Sequence, residues 1–365
     1  MKNAESELLI YKNKVPELKN VNRIIFQKYL PIKTIGKSSH SAVFLGKCVK
    51  ENKYVAIKIQ NKNSITSDLE QEAYYLYLLR GFGIPKIISY GISGNYKVLV
   101  EALLGKSIDV LLKKNNNPKS KMKDICMIAI QIMERIEYIH NKNIIHLDIK
   151  PANFLVGNPD DSVIYLIDYG LSKKYRSSIK GKHIMFIKKD RFRGTFNFSS
   201  INSMEGYESS RRDDLISIGY MLIFLIKGEL PWSKIKYGTN SSEIYIKNLN
   251  LKKNTTNEEL CKNLPSEFCD YIKYVKSLKF QEEPNYLYLK NLFIKVLDKM
   301  QETNDLCFSW RKIKLSKKEE QIQYSTIMST LNGSRRKSPF INIIPTLEDK
   351  YRTINRFNIK AFKAV

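Results

Sequence analysis

A chain of 365 residues is long enough for one large domain with a cleft or for two ordinary domains, since single cores rarely grow beyond about 250–300 residues. With 43% apolar residues and both signs of charge spread along it, the chain is not wholly disordered. The formal net charge of +26 favours polyanionic partners such as nucleic acid, acidic lipid headgroups, acidic protein surfaces or phosphorylated substrates, and does not choose among them. A general bias towards Lys and Asn explains the same charge without a dedicated site.

The pattern begins after residue 22. From Tyr29 to about Val100, short β-like runs alternate with turn residues: Ile32 to Ile35, Ala42 to Gly46, Tyr54 to Ile59, Ile87 to Tyr90 and Lys97 to Val100. One helix interrupts them, Asp68 to Leu79, with Leu69, Ala73, Leu76 and Tyr77 on one face and Ser67 or Asp68 as its cap. After Gly105 the periodicity becomes helical. Asp124 to His140 carries Ile125, Ile128, Ile132, Met133, Ile136 and Ile139 at helical spacing. Two β runs follow, Phe154 to Val156 and Val163 to Ile167, then a basic irregular stretch to Asn202. Further helices are predicted over Asp213 to Lys227, Ser266 to Lys276 and Tyr286 to Met300, with a weaker one at Glu319 to Met328. A small β-rich half followed by a larger helical half is an α+β arrangement with a cleft between two lobes. Residues 1–22 are an N-terminal extension, 23–316 the globular domain with lobes meeting near 103 and 104, and 317–365 a basic tail.

Cys48, Cys126, Cys261, Cys269 and Cys307 are odd in number and form no C-x-x-C pair, which speaks against a disulfide framework or a zinc site and for a reducing compartment, cytoplasmic and/or nuclear. Met1 to Asn20 lacks a signal-peptide apolar core, so secretion is not expected. The longest apolar stretch, Leu215 to Ile226, falls short of the ~20 residues that cross a bilayer and reads as a buried helix.

The chemistry concentrates in His146-Leu147-Asp148-Ile149-Lys150-Pro151-Ala152-Asn153-Phe154-Leu155 and, beyond the β pair, Leu166-Ile167-Asp168-Tyr169-Gly170. Phosphoryl transfer needs a carboxylate for the attacking hydroxyl, oxygen ligands for a metal ion and positive charge on the phosphates. These residue types supply all three. They resemble the protein-kinase catalytic loop, H-x-D-x-K-x-x-N, and its metal-binding D-x-G turn. The resemblance implies that Asp148 is the catalytic base, that Lys150 stabilises the γ-phosphate, and that Asn153 and Asp168 hold Mg²⁺. Val55-Ala56-Ile57-Lys58 matches the V-A-I-K strand, so Lys58 is expected on the α- and β-phosphates of ATP, paired with a glutamate of the following helix. Glu70 and Glu72 both qualify, and alignment favours Glu72.

Likeness to the casein kinase 1 group of Ser/Thr kinases extends from about Gln27 to Leu315. It rests on Ser200-Ile201-Asn202 in place of A-P-E, on Ser210-Arg211-Arg212-Asp213-Asp214-Leu215, and on Leu230-Pro231-Trp232, Leu264-Pro265-Ser266-Glu267-Phe268 and Pro284-Asn285-Tyr286. It implies that Asp214 anchors the catalytic loop, that Thr195 lies near Asp148, and that Ile35, Gly36, Val43, Ala56, Lys58, Glu101, Leu104, Leu155 and Ile167 line the nucleotide cleft.

Several positions depart from the family. The glycine-rich loop reads Gly36-Lys37-Ser38-Ser39-His40-Ser41-Ala42-Val43 and keeps only its first glycine, so positive φ at Ser38 or Ser41 would be strained. Leu147 replaces the arginine that pairs with an activation-loop phosphate in many kinases. Glu101 takes the gatekeeper place and needs a partner, for which Lys58 is a candidate. Asn197 stands for the arginine of G-T-A-R-Y, and Thr239-Asn240-Ser241-Ser242-Glu243 replaces a basic run. Lys173, Lys174, Arg176, Lys180, Lys182, Lys188, Lys189, Arg191 and Arg193 nevertheless offer groups for acidic or phosphorylated substrates. The expectation is a Ser/Thr kinase using Mg-ATP. A pseudokinase scaffold, a small-molecule phosphotransferase sharing the H-x-D-x-x-x-x-N loop, and polyanion binding by the tail remain as alternatives.

Overall fold

The computed structural model describes residues 24–38, 40–64, 69–177, 181–189, 192–234 and 241–312. The extension 1–22, the expected cap at Ser67 or Asp68 and the tail with its helix at Glu319 to Met328 lie outside the described residues.

Alternation along strands builds the small lobe. β1 (Tyr29–Lys37), β2 (Ser41–Cys48), β3 (Lys53–Asn61), β4 (Ile87–Ser93) and β5 (Tyr96–Ala102) form an antiparallel sheet in the order β1-β2-β3-β5-β4. Register decides what each face carries, because successive side chains point to opposite sides. Phe44, Ile57 and Val100 stand opposite one another and are buried together on one face. One residue along, Val43, Lys58 and Leu99 make a row on the other face, and Leu45, Ala56 and Glu101 make the next. That second face meets α1 (Leu69–Leu78), where Leu69, Ala73 and Leu76 are buried as the spacing predicts. Tyr75 joins them, whereas Tyr77 is half-exposed.

The large lobe is helical. After α2 (Ile108–Leu112) comes the central helix α3 (Pro118–Asn141), which starts a turn and a half before the predicted Asp124. Its first turns are polar and invisible to apolar periodicity. The start is set by Pro118 at the first position and by Asn117, whose side chain accepts the Ser120 N–H at 3.0 Å, a cap contributing about 1 kcal/mol. From Ile125 onwards the helix is buried on nearly all sides.

Two short hairpins carry the loops between the lobes: β6 (Ile144–Ile145) pairs with β9 (Lys173–Lys174), and β7 (Phe154–Val156) with β8 (Ile164–Leu166). After α4 (Ile201–Met204), α5 (Arg211–Lys227) takes the apolar stretch into the core. Its N-terminus is closed by the Ser210/Asp213 capping box, and its end by Gly228 at φ 82°, a left-handed residue that glycine adopts without a Cβ penalty. No helix among the described residues is long and apolar enough to cross a membrane.

No helix was expected over α6 (Ser241–Asn254), which mixes Lys and Asn with scattered apolar residues. It is followed by α7 (Asn257–Leu260), α8 (Ser266–Ser277), α9 (Tyr286–Lys299) and α10 (Ser309–Lys312). The last is tied back to α3 through Asp124, which accepts the Ser309 N–H at 3.0 Å. The whole is a bilobal α+β fold. All five cysteines are free thiols, as their spacing suggests.

Candidate active site

Lys58, on the α1-facing side of β3, reaches two carboxylates at once. Its Nζ lies 2.7 Å from Glu72 Oε2 and 2.8 Å from Asp168 Oδ1. Burial works against the ammonium, but Asp168 and Glu72 outweigh it and raise the lysine's pKa. Lys58 in turn holds Asp168 down at about 2, against its burial. Glu72 is 3% exposed, and burial pushes its carboxyl up while Lys58 pulls the other way. Glu70, the other candidate, lies 3.7 Å from Lys97 instead.

Glu101 is diagonal to Lys58 across the β3–β5 ladder, one step too far for the ion pair that its sequence position invited. Among the described residues Lys58 pairs with Glu72 and Asp168 and not with Glu101. Burial therefore pushes the Glu101 carboxyl up to about 8, reinforced by Glu72 and only partly offset by Lys58. Between pH 4.5 and about 8 the folded protein keeps a proton that the unfolded chain has released, so stability falls as pH rises through that window. Glu101→Met is expected to remove this slope, melting above wild type at about pH 8 and close to it at about pH 5. Parallel melting profiles for the two proteins would count against it.

Asp214 shapes the catalytic loop from inside the large lobe. Its Oδ2 accepts the His146 N–H at 2.7 Å and its Oδ1 the Leu147 N–H at 2.9 Å. That two-pronged hold sustains Leu147 at φ 71°, a left-handed conformation rare for a bulky side chain. Burial penalises the Asp214 charge, but hydrogen bonding to His140, 3.0 Å away, keeps its pKa below the usual carboxylate value. His140 also meets the Tyr286 hydroxyl at 2.7 Å. His146 bridges the loop to Asp168: its Nε2 donates to the Ile167 carbonyl at 3.0 Å while its Nδ1 accepts the Asp148 N–H at 3.3 Å.

Three side chains converge on the buried Asp148. Lys150 Nζ is 2.5 Å from Oδ2, Asn153 Nδ2 donates to the Asp148 carbonyl at 2.8 Å and to Oδ2 at 3.3 Å, and the Thr195 hydroxyl donates to Oδ1 at 2.7 Å. Asp148 is thus fixed in rotamer with both oxygens solvated by donors, as a base presented to an incoming hydroxyl must be.

A family model described as protein kinase domain matches residues 29–304, from β1 to just beyond α9. The chain belongs to the protein kinase family. Membership brings ATP, a divalent metal ion and protein substrates with it.

The kinase's remaining sequence-assigned residues are placed around the same cleft. Gly36 faces Val43 across β1 and β2, and Ala56 faces Glu101 across β3 and β5. Val43, Ala56, Leu104, Leu155 and Ile167 are half-buried and Ile35 is 47% exposed, whereas their chain neighbours Phe44, Ile57, Phe154 and Leu166 are fully buried. Asn153 and Asp168 are brought near each other by the Ile167 N–H, which donates to the Asn153 carbonyl at 2.9 Å. With Nδ2 engaged by Asp148, Asn153 has its amide oxygen to offer beside the Asp168 carboxylate, a hard-oxygen pair that fits a divalent ion also held by phosphates.

The strain expected in the kinase's glycine-poor loop is absent. None of Ser38, His40 and Ser41 takes a positive φ. Instead Ser38 closes the turn, its N–H donating to the Ser41 carbonyl at 2.8 Å and its Oγ accepting the Ser41 N–H at 3.0 Å. Serine is here a turn former rather than a failed glycine.

Two long-range pairings have no local signal. Glu208, 6% exposed, is clamped by Lys173 of β9 and by Lys189. These two lysines, expected to face acidic substrates, are taken up by a carboxylate of the same chain. Nearby, Lys188 lies over the Tyr207 ring. Lys252 of α6 is 1% exposed and donates to the carbonyls of Phe196 at 2.8 Å and Ser199 at 2.7 Å, with its ammonium over Tyr220 and Trp232. The Asn197 carbonyl takes the Trp232 Nε1–H at 2.8 Å.

Proposed function

We propose that this kinase transfers the γ-phosphate of Mg-ATP to Ser or Thr of proteins, as a divergent member of the casein kinase 1 group acting in the cytoplasm and/or nucleus. The observation that carries the reading is the convergence of Lys150, Asn153 and Thr195 on Asp148. In this scheme the substrate hydroxyl approaches Asp148, which accepts its proton as the oxygen–phosphorus bond forms. Lys150 follows the transferred phosphoryl charge, and Lys58, held by Glu72, faces the α- and β-phosphates. Asn153 and Asp168 hold Mg²⁺, which neutralises the phosphate oxygens.

Membership of the casein kinase 1 group is supported by Ser200 and Asp213. Ser200 caps α4, accepting the Ser203 N–H at 3.1 Å, and donates to Asp213 Oδ1 at 2.5 Å, which explains why serine serves where other kinases carry A-P-E. With Leu147 unable to hold a phosphate and Glu208 already between Lys173 and Lys189, activity is expected without activation-loop phosphorylation. Acidic or phosphorylated substrates are expected through the remaining basic surface, which also suits polyanions.

The test is incorporation of label from γ-labelled ATP into casein, followed by phosphoamino-acid analysis. Phosphoserine and phosphothreonine are expected, with heparin competing against the acidic substrate. Phosphotyrosine would refute the specificity, and ATP binding without any incorporation would favour a pseudokinase, the alternative that the uncompensated Glu101 motivates.

A further inference from the structure

The geometry points to an aromatic platform, made of Phe196, Phe192 and Tyr245, on which the kinase seats a large apolar or aromatic side chain of its substrate close to the phosphorylated residue. This rests on the reading of Asp148 as the base.

Phe196 follows Thr195 in the chain, and Thr195 donates its hydroxyl to Asp148 at 2.7 Å. A fully extended residue spans at most about 3.6 Å, so the Phe196 ring borders the position of the acceptor hydroxyl within about two substrate residues. The ring is 48% exposed. It is also held in place: Phe192 stacks on it with centroids 4.9 Å apart and planes at 18°, and Tyr245 meets it edge-on at 5.3 Å and 76°. Tyr245 is itself tethered through its hydroxyl to the Met204 carbonyl, and the next residue on α6, Ile246, is 56% exposed.

An isolated exposed phenylalanine needs no explanation. Here the backbone beneath is pinned so that the exposure is enforced. Lys252 holds the Phe196 and Ser199 carbonyls and Trp232 holds that of Asn197. Phe198 is driven inside, 6% exposed and edge-on to Phe224 at 5.4 Å. The backbone that buries Phe198 leaves Phe196 on the surface. A preformed ring stack loses little entropy on binding, and its faces and edges suit another ring or a branched aliphatic chain.

The occupant is the substrate polypeptide because the platform is continuous with the reaction centre and flanked by charge of one sign. Arg193 is exposed two residues before Thr195, and Lys188 is exposed further out. The substrate chemistry this selects is a bulky apolar side chain within about two residues of the phosphoacceptor and acidic side chains beyond it.

The test uses the full chain and fluorescent acidic peptides with one Ser acceptor. Phe or Gly is placed in turn at each of the two positions on either side of the acceptor, and affinity is read by anisotropy. At one position Phe is expected to bind about tenfold tighter than Gly, equivalent to about 1.4 kcal/mol. Phe196→Ala should collapse that ratio towards unity, and Phe196→Leu should restore part of it. Equal affinities for Phe and Gly at every position overturn the platform, as does an unchanged ratio in Phe196→Ala. Because binding is read without turnover, failure to phosphorylate any peptide bears on the kinase reading alone.

Discussion

Replacing Asp148 by asparagine is expected to lower kcat by about 10²–10⁴-fold, the range for loss of a general base, with ATP affinity nearly unchanged. Asparagine keeps the shape of the side chain, and its amide oxygen still accepts from Thr195 at the place of Oδ1. What is lost is the charge and the basic oxygen. The amide nitrogen meets Lys150, whose ammonium now sits 2.5 Å from Oδ2 and cannot accept a hydrogen bond in return. The loop itself survives, because its backbone hangs on Asp214 through His146 and Leu147 and not on Asp148. Nucleotide affinity is kept because Lys58 and Asp168 are on other elements. Steady-state kinetics beside ATP titration separates the two effects. Equal incorporation by variant and wild type would mean that the activity belongs to a contaminant.

The sheet and the catalytic loop were legible because each is governed by local rules. Apolar alternation placed all five strands, and the fixed spacing from His146 to Asn153 put Asp148, Lys150 and Asn153 on one turn before any contact was known. Helix α3 was found by its buried face and misjudged at its start, because a cap by Asn117 and a proline carry no apolar signal. Helix α6 escaped altogether. What organises it is a lysine, Lys252, buried against carbonyls from residues 196 and 199, and a charged residue in a polar segment looks like surface until its partners are known. The same holds for Glu208 with Lys173 and Lys189, and for His140 behind Asp214. Sequence identified the residues that touch chemistry, while the residues that position them are joined only by tertiary structure.

Lys58→Met is expected to reduce phosphoryl transfer by at least about 10²-fold and to destabilise the fold, with the loss of stability growing as pH rises. The activity term follows from losing the cation that faces the phosphates. The stability term has a different origin. Lys58 is the cation printed against both Glu72 and Asp168, and it also offsets part of the charge cost at Glu101. Removing one partner of a buried pair costs about 3–5 kcal/mol, because the other charge is left in the interior. The carboxyls escape that cost by taking up protons. Burial already raises Glu72 and Glu101, and without Lys58 both move further up while Asp168 rises from about 2. The folded variant then binds more protons than its unfolded chain above the ordinary carboxylate range, and its stability declines with pH through that range. Melting at about pH 5 and about pH 8 should show a gap to wild type that widens at the higher value. An equal gap at both would place the defect in packing around the methionine, and would break the link between the buried carboxyls and the lysine that holds them.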